Sequence, residues 1–296
     1  MVPKDVMSAP PATKIIADLA AFLEEDLGRG DVTSEALVAE SNEALGTVRA
    51  GEPGTLAGLE EAAVLAAGAG LEITTHAIDG DDLLPGRAVL ELAGAARAIL
   101  GVERTMLNVM SHMSGVATAT QRAVTAVTKG YTGLHADSPP RIAATRKTLP
   151  GLRALQKKAV VLGGGLPHRF DLSEAVLIKD NHLAIVPDIA AAVARVRDRV
   201  GAMPIEIEVE SLADALAAAA ARADCLLLDN FEPEGIIEVV AALRSADLRD
   251  AVSLEASGGI TIDIVGEYAD TGVDFISMGS LTMSARPVDF SMHFTP

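Results

Sequence analysis

Residues 204–229, PIEIEVESLADALAAAAARADCLLLD, contain a strand pattern, a helix pattern and a second strand pattern in succession. In 204–210 apolar and acidic residues alternate, and a period of two predicts a β-strand. The alanine-rich segment 212–222 predicts a helix, and the apolar run 225–229 predicts another strand. A strand, a helix and a strand in this order are typical of parallel pairing, so the stretch indicates an α/β fold.

The same alternation extends across the second half of the chain. We predict strands at 141–145, 174–179, 204–210, 225–229, 252–257 and 273–278. We predict helices at 188–200, 212–222, 234–245 and 261–271. Asp188 and Thr261 are predicted N-caps, and Pro233 suits the first turn of a helix. At least six such units favour a parallel sheet curved into a barrel.

The first half has a different pattern. A helix is predicted at 14–27, where Gly28 ends it, and a second at 59–67. Short segments bounded by Gly and Pro predict strands at 46–50, 71–77 and 88–93. These elements predict a small α/β unit. Residues 97–127 then predict one or two helices with a hinge at Gly115.

Composition excludes several classes of protein. The chain has 296 residues, 49% of them hydrophobic, 3% aromatic, and a formal net charge of −17. A nucleic-acid partner is not expected, because such a partner requires a broad basic face or stacking aromatic rings. The single Cys225 lies in an apolar run and predicts a buried thiol in a reducing compartment. Without a secretory signal in 1–14 or a long apolar span, we expect a cytoplasmic protein with no membrane partner.

A basic cluster interrupts this acidic sequence. Between 141 and 179 there are eight Lys or Arg residues and only two acids, a local charge of +6. Like charges repel one another and lose hydration when they are partly buried, so such a cluster indicates an anion-binding site. We therefore predict a small, highly anionic substrate.

Polar residues and glycines follow each predicted barrel strand. The strand ends are 145–147, 179–180, 208–210, 229–230, 257–259 and 279–280. In a parallel α/β barrel these ends share one rim, where active sites lie. The carboxylates of Glu206, Glu208 and Glu210 share one strand face, which points inward when helices cover the outside.

A buried carboxylate requires a cation, a metal ion or several donors. This need makes Glu208 and Asp229 candidate functional residues, with structural pairing of the carboxylate to Lys179 or Arg146 as the alternative. Ser257-Gly258-Gly259 and Gly279-Ser280 are candidates for a phosphate site after the last two strands, since glycines allow the backbone to approach an anion.

Two motifs are highly specific, Thr145-Arg146-Lys147-Thr148 and Ile178-Lys179-Asp180-Asn181-His182. They occur together with the segments 25–28 with 30–33, 56–59, 103–105 with 107–108, 148–153, 163–165 with 168–169, 227–231 and 255–260. In these segments the sequence resembles the quinolinate phosphoribosyltransferases along nearly the whole chain.

The resemblance implies two domains. Residues 1–113 would form an N-terminal α/β sandwich domain, completed by the C-terminal tail at about 283–296, and 114–282 an incomplete (β/α) TIM-like barrel. It also implies a homodimer or a dimer-based higher oligomer, in which each active site receives residues from the partner's N-terminal domain.

The implied reaction joins quinolinate to phosphoribosyl pyrophosphate with Mg²⁺, giving nicotinate mononucleotide, carbon dioxide and pyrophosphate in NAD synthesis. Around quinolinate and the pyrophosphate the resemblance places Arg104 of the partner subunit, Arg146, Lys147, His168, Arg169 and Lys179. Glu208 and Asp229 would hold the ribose hydroxyls and Mg²⁺, partly through water and substrate. The 5-phosphate would be held by Ser257, Gly258, Gly259, Gly279 and Ser280. Lys147, Lys179, Glu208 and Asp229 are the implied catalytic residues.

The residue chemistry agrees with this assignment. Two adjacent ring carboxylates suit the planar, bidentate donors of arginine, and a pyrophosphate leaving group needs cations to stabilise its developing charge. Positive charge that develops on the ribose is favoured by nearby carboxylates.

Three alternatives are open at this point. Departures from the family pattern at Ala144, Lys158, Pro167 and Met283 allow a different ring acceptor, as in the molybdenum-transport-associated relatives, although Lys179-Asp180-Asn181-His182 favours quinolinate. A barrel aldolase would use Lys179 as a Schiff-base lysine of lowered pKa, which its anionic surroundings disfavour. A non-catalytic ligand sensor is the third.

Overall fold

The structure, a computed structural model, describes residues 12–295, which form two compact units. The barrel unit consists of 122–147 and 165–280, and the N-terminal unit of 12–121, 148–164 and 281–295. Most of the segment 1–14, in which no secretory signal was expected, lies outside the described residues. Among the helices of 12–295, none is both long and apolar enough to cross a membrane.

The N-terminal unit contains the elements of the first half of the chain. They are α1 (Ala12–Leu27), α2 (Val32–Leu37), β1 (Glu43–Ala50), β2 (Gly54–Thr55), α3 (Leu59–Gly68), β3 (Glu72–Thr75), β4 (Asp82–Leu83), β5 (Ala88–Ala95) and α4 (Ala96–Gly130), of which the last nine residues count with the barrel unit. Two later elements belong to it, α5 (Arg153–Leu162) and β12 (Phe290–Thr295).

Four of these strands form an antiparallel sheet in the order β12-β1-β5-β3. The predicted strands of this region are confirmed with shifted ends. The C-terminal strand β12 pairs Phe290 with Ala50, so the tail completes the sheet. Helix α3 packs within this unit through its buried residues Leu59, Ala62 and Leu65.

The barrel unit holds a six-stranded parallel sheet. Its elements are β6 (Arg141–Ala143), β7 (Val176–Ile178), α6 (Asp180–Leu183), α7 (Ile189–Val200), β8 (Ile205–Val209), α8 (Leu212–Ala220), β9 (Cys225–Asp229), α9 (Pro233–Ser245), β10 (Ser253–Ser257), β11 (Phe275–Ser277) and α10 (Ser280–Met283), the last of which begins the return to the N-terminal unit. Two short 3₁₀ helices lie at Arg249–Ala251 and Val265–Tyr268.

The strand order is β6-β11-β10-β9-β8-β7, with β6 and β7 at the two edges. Beyond β6 a single parallel bridge joins Ala143 to Leu166. The sheet is therefore an incomplete barrel, as the resemblance implied, and all six predicted strands are present. Asp188 is the N-cap of α7, since its side chain accepts from Ala191 N at 3.0 Å, and Pro233 begins α9; both predictions are confirmed.

The alternation of 205–209 has the predicted consequence. Ile205, Ile207 and Val209 are buried at 2% exposure or less, while Glu206 and Glu208 are buried on the opposite strand face at 6% and 7%. Cys225 is a buried free thiol, as expected. Both faces of β8 are thus enclosed, and the carboxylates lie on the inner one.

Two predictions about helices were wrong. The helix at 261–271, with Thr261 as its N-cap, is replaced by the four-residue 3₁₀ helix at Val265–Tyr268. Here the Gly266 carbonyl lies so close to Gly130 of α4 that Gly130 has no room for a Cβ, and this close packing accompanies the shorter helix. The hinge at Gly115 is also absent, since α4 runs as one α-helix through it. Gly115 instead permits close approach of the backbone at Arg286.

Helix α5 was not predicted, and it packs within the N-terminal unit rather than with the barrel residues around it in sequence. Lys158 forms ion pairs with Glu61 at 2.8 Å and Glu60 at 2.6 Å. The buried Gln156 donates to Thr282 O at 2.7 Å. These contacts lie within the N-terminal unit, which includes 148–164.

Candidate active site

The carboxyl ends of the barrel strands bring together residues that are distant in sequence. Ser257 of β10 lies opposite Asp229 of β9 in parallel register, and Glu208 of β8 lies next to Leu227 of β9. Because neighbouring parallel strands end at the same edge, their terminal side chains share one rim. Lys179, Glu208, Asp229 and Ser257 lie at this rim, because each is at or next to the carboxyl end of its strand.

Lys179 and Glu208 form an ion pair at this rim. Lys179 is the N-cap of α6, directly after β7, and its Nζ donates to Glu208 Oε2 at 2.5 Å. The Glu208 side chain is only 7% exposed, whereas that of Lys179 is 44% exposed. The ion pair between Glu208 and Lys179, which the sequence left open as a structural alternative to a functional role, is therefore present. It also places an ammonium group beside the candidate metal-binding carboxylates.

Three carboxylates meet where β8 and β9 end. Oxygen atoms of Glu208, Glu210 and Asp229 all lie within 4.8 Å of one another. Burial, and then the neighbouring Glu208 charge, raise the pKa of Asp229 above its usual value, although Lys179 and Lys147 act in the opposite direction. Mutual repulsion of this kind is relieved by a bound cation, and carboxylate oxygens are the ligands that Mg²⁺ prefers. The residues present thus fit Mg²⁺.

Glu210 was not among the predicted metal ligands. The alternation of 205–210 put it on the same strand face as Glu208, and that signal was sufficient to find it. A cavity of about 290 Å³ is lined by Glu208 and Glu210, and Asp180 and Asp214 contribute two further acids to its lining.

Lys147 lies across the glycine that follows β11. Its backbone N–H donates to Thr145 Oγ1 at 2.9 Å, which closes a tight turn after β6. A Cβ at Gly279 would lie 2.9 Å from Lys147 Cδ, closer than atoms of a packed side chain tolerate. A larger residue at Gly279 would therefore require the flexible Lys147 side chain to move.

Arg169 is a buried cation held close to a second one. Its side chain is 8% exposed, and Nη1 donates to Ala175 O at 3.0 Å. Burial lowers the pKa of Arg169, and the nearby Arg146 charge lowers it further. Two guanidinium groups held near each other form a strong electrostatic site for a dianion.

A glycine turn follows β10. Gly258 and Gly259 have φ angles of +90° and +61°. A Cβ at Gly258 would overlap Asn230, whose N–H donates to Ser257 O at 2.9 Å, while the space around Gly259 is open. Ser280 Oγ is buried with no hydrogen-bond partner among the described residues. Together these positions have the chemistry of a phosphate site.

Below the rim, a second polar layer contains His168, Glu206 and Glu255. His168 Nε2 lies 3.3 Å from Glu255 Oε2 and 3.6 Å from Glu206 Oε2. Burial, and then the Glu255 charge, raise the pKa of Glu206 to about 8. Burial also opposes ionisation of Glu255, but interactions with His168 and Ser277 bring its pKa below the usual value. The two carboxyl groups therefore share one proton near neutral pH.

Arg104 belongs to the other unit. It is an exposed residue of α4, within the part of that helix that counts with the N-terminal unit. Its predicted role depends on a partner subunit and remains a prediction.

Comparison with known proteins identifies relatives over most of the chain. The family described as quinolinate phosphoribosyl transferase, C-terminal domain, matches residues 116–293, and the corresponding N-terminal domain matches 31–114. A probable nicotinate-nucleotide pyrophosphorylase (carboxylating) of Methanothermobacter thermautotrophicus is 46% identical over 272 residues, which cover 92% of this chain and 95% of the relative. The nicotinate-nucleotide pyrophosphorylase (carboxylating) of Mycobacterium leprae is 40% identical over 276 residues, 91% of this chain and 93% of the relative.

Solved structures show the same fold. NadC from Streptococcus pyogenes has a TM-score of 0.88 at 35% identity, covering 97% of this chain and 99% of that one. The nicotinate-nucleotide pyrophosphorylase from Francisella tularensis has a TM-score of 0.88 at 32% identity, covering 99% of this chain and 100% of that one.

Proposed function

The chain belongs to the quinolinate phosphoribosyl transferase family, and on that premise we propose that it transfers phosphoribosyl from phosphoribosyl pyrophosphate to quinolinate with loss of carbon dioxide. The products are nicotinate mononucleotide, carbon dioxide and pyrophosphate, which makes the enzyme a decarboxylating pentosyltransferase of NAD synthesis.

The proximity of Arg146 and Arg169 is the observation that best supports an acceptor with two carboxylates. The pKa of Arg169 is lowered by burial and by the Arg146 charge, although the Glu206, Asp171 and Glu255 charges act in the opposite direction. A dianion such as quinolinate offsets both charges, whereas a ring acid with one carboxylate offsets only one. We assign Arg146 and Arg169 to the two ring carboxylates, with His168 beside them.

The chemistry requires one substitution and one decarboxylation. The lone pair of the pyridine nitrogen forms a bond to the anomeric carbon while the bond from that carbon to pyrophosphate oxygen breaks, and pyrophosphate leaves with the electron pair. The ring nitrogen is then positively charged. It stabilises the electron pair left at ring carbon 2 when that carboxylate departs as carbon dioxide, and a solvent proton completes the product.

The side chains at the rim suit these charge changes. We assign the ribose hydroxyls to Glu208 and Asp229, whose carboxylates would favour the positive charge that develops on the sugar. To Lys147 and Lys179 we assign the charge that develops on the leaving pyrophosphate. Ser257, Gly258, Gly259, Gly279 and Ser280 form the cradle that we assign to the 5-phosphate.

We assign Mg²⁺ to Glu208 and Asp229, partly through water and substrate, with Glu210 as an additional ligand. When bound, the ion supplies positive charge to the phosphate oxygens of the donor. The raised pKa of Asp229 supports a site in which these acids need a cation.

The assembly that we propose is a homodimer or a dimer-based oligomer, in which Arg104 of the partner subunit completes the acceptor site. The exposed position of Arg104 on α4 supports this role, because a cation presented to solvent is available to a second chain. The lone, buried Cys225 is compatible with a cytoplasmic location.

Incubation of the purified chain with quinolinate, phosphoribosyl pyrophosphate and Mg²⁺ tests the proposal. We expect nicotinate mononucleotide to form, and nicotinate, which lacks the second carboxylate, to be a poor acceptor. No nucleotide at any enzyme concentration would refute the proposal. Turnover of another ring acid in place of quinolinate would keep the fold and change the acceptor.

A barrel aldolase based on Lys179 finds no support here. Lys179 Nζ donates to Glu208 at 2.5 Å, and a lysine held in an ion pair with a carboxylate is a poor nucleophile.

A further inference from the structure

The inner polar layer suggests a role for residues that the reaction itself does not use. Glu206 and Glu255 come from β8 and β10, are 6% and 3% exposed, and face His168 from two sides. Buried carboxyl groups are costly, so three such residues in one place need a reason in structure or function.

Hydrogen bonding fixes the protonation of the His168 ring. The backbone N–H of Arg169 donates to His168 Nδ1 at 2.8 Å. A ring nitrogen that accepts a hydrogen bond carries no proton, so the proton of the neutral ring is on Nε2. That nitrogen faces the carboxylate oxygens at 3.3 and 3.6 Å and donates toward Glu255. The ring is therefore held at both ends.

The backbone at this position depends on those contacts. His168 has a φ of +52°, in the left-handed region that is unfavourable for a residue with a Cβ. The left-handed turn and the bond to Nδ1 together direct the next residue, Arg169, whose guanidinium donates to Ala175 O. The position of this arginine is thus coupled to that of the ring.

We propose that Glu255 is a positioning residue for acceptor binding. Its carboxylate accepts a hydrogen bond from Nε2–H of His168, which leaves Nδ1 as the acceptor for the Arg169 amide. These two bonds together hold the Arg169 guanidinium in place. Glu206 supports it from the opposite side. This inference rests on the proposed function, since it concerns the residue assigned to a quinolinate carboxylate.

A charge argument supports this role. Arg146 and Arg169 repel each other, so contacts other than their own must hold Arg169 in place, and the buried Glu255 carboxylate acts on Arg169 in the attractive direction.

Steady-state kinetics of Glu255→Leu and Glu255→Gln in the full-length protein test the proposal. The leucine side chain has no acceptor, and we expect the KM for quinolinate to rise about tenfold or more while the KM for phosphoribosyl pyrophosphate stays within about twofold. The glutamine oxygen still accepts from Nε2, so Glu255→Gln should recover most of the loss. Ser253→Ala, a buried change on the same strand face, serves as the matched control.

Equal increases in both KM values, or an unchanged KM for quinolinate in Glu255→Leu, would overturn the inference. These outcomes are distinct from a failure of the proposed function, in which the unaltered protein would form no nucleotide.

A spectroscopic test does not depend on the folding of a Glu255 variant. In the unaltered protein with ¹⁵N-labelled histidine, the His168 resonances, assigned by their loss in His168→Gln, should report the neutral Nε2–H tautomer at pH 7.5. A ring protonated on Nδ1, or on both nitrogens, would contradict the mechanism of positioning.

Discussion

Lys179 donates to the Glu208 carboxylate across the ends of the adjacent strands β7 and β8, at 2.5 Å. One contact therefore links the cationic part of the site to the carboxylates assigned to ribose and Mg²⁺. Glu208 is 7% exposed on its side chain, so it depends on this partner or on a bound cation for compensation.

Replacement of Lys179 by methionine should have a large effect. The change removes the ammonium group, leaves Glu208 uncompensated in the free enzyme, and should lower kcat/KM by about 100-fold. Kinetics with both substrates varied would measure the loss. Lys179→Arg keeps the charge with a different donor geometry, and it should retain more activity than methionine. Equal activity of the methionine variant and the unaltered protein would contradict a role for the pair.

Asp229→Asn tests the metal site. The amide removes one of the negative charges in the group of three carboxylates, so the Mg²⁺ concentration for half-maximal activity should rise about tenfold or more. A titration of activity after removal of metal with EDTA gives this value. Glu210→Gln is the matched comparison, because Glu210 is exposed and its charge is screened by solvent, and the shift should be smaller. A Mg²⁺ requirement unchanged by Asp229→Asn would reject the assignment.

Gly258→Ala tests the phosphate cradle. The φ of +90° and the overlap with Asn230 should cost about 1–3 kcal/mol of folding stability and raise the KM for phosphoribosyl pyrophosphate. Gly259 has a φ of +61° but open space around it, so thermal unfolding of Gly259→Ala should show a smaller loss of stability. If the two alanine variants were equally stable, the close approach of Asn230 would not be limiting.

His112 should make folding stability depend on pH. Burial lowers the pKa of His112, and its Nε2 lies 3.0 Å from Gln156 Nε2, an amide donor, so the ring is neutral in the folded protein. The unfolded chain binds a proton near pH 6.5, and stability should therefore fall as pH decreases below that value, by at most about 1.4 kcal/mol per pH unit for this group.

Thermal unfolding of the unaltered protein and of His112→Asn between pH 5 and 8 measures this dependence. The variant should show a weaker decline of melting temperature below pH 6.5. The same slope in both proteins would assign the acid sensitivity to other groups.

Much of the barrel could be predicted from the sequence, because its strands have strong local signals. The alternation of 205–210 and the apolar run of 225–229 each predict a strand and the inward position of its polar residues. The rim residues Lys179, Glu208 and Asp229 followed from the ends of those runs.

Other features depend on contacts between distant segments. Helix α4 is continuous through Gly115, where the backbone of Arg286 approaches it, and the short 3₁₀ helix at Val265–Tyr268 packs closely on Gly130. Glu255 is a similar case, because its strand was predicted but its partner His168 lies 87 residues earlier in the chain. No local period carries such information.

Release of carbon dioxide from quinolinate labelled at the 2-carboxylate tests the proposed reaction most directly. Labelled carbon dioxide should appear only when phosphoribosyl pyrophosphate is present, in a one-to-one ratio with pyrophosphate and nicotinate mononucleotide, because the ring nitrogen must be ribosylated before the carboxylate can leave. Pyrophosphate release without labelled carbon dioxide, or carbon dioxide without the sugar donor, would contradict the account.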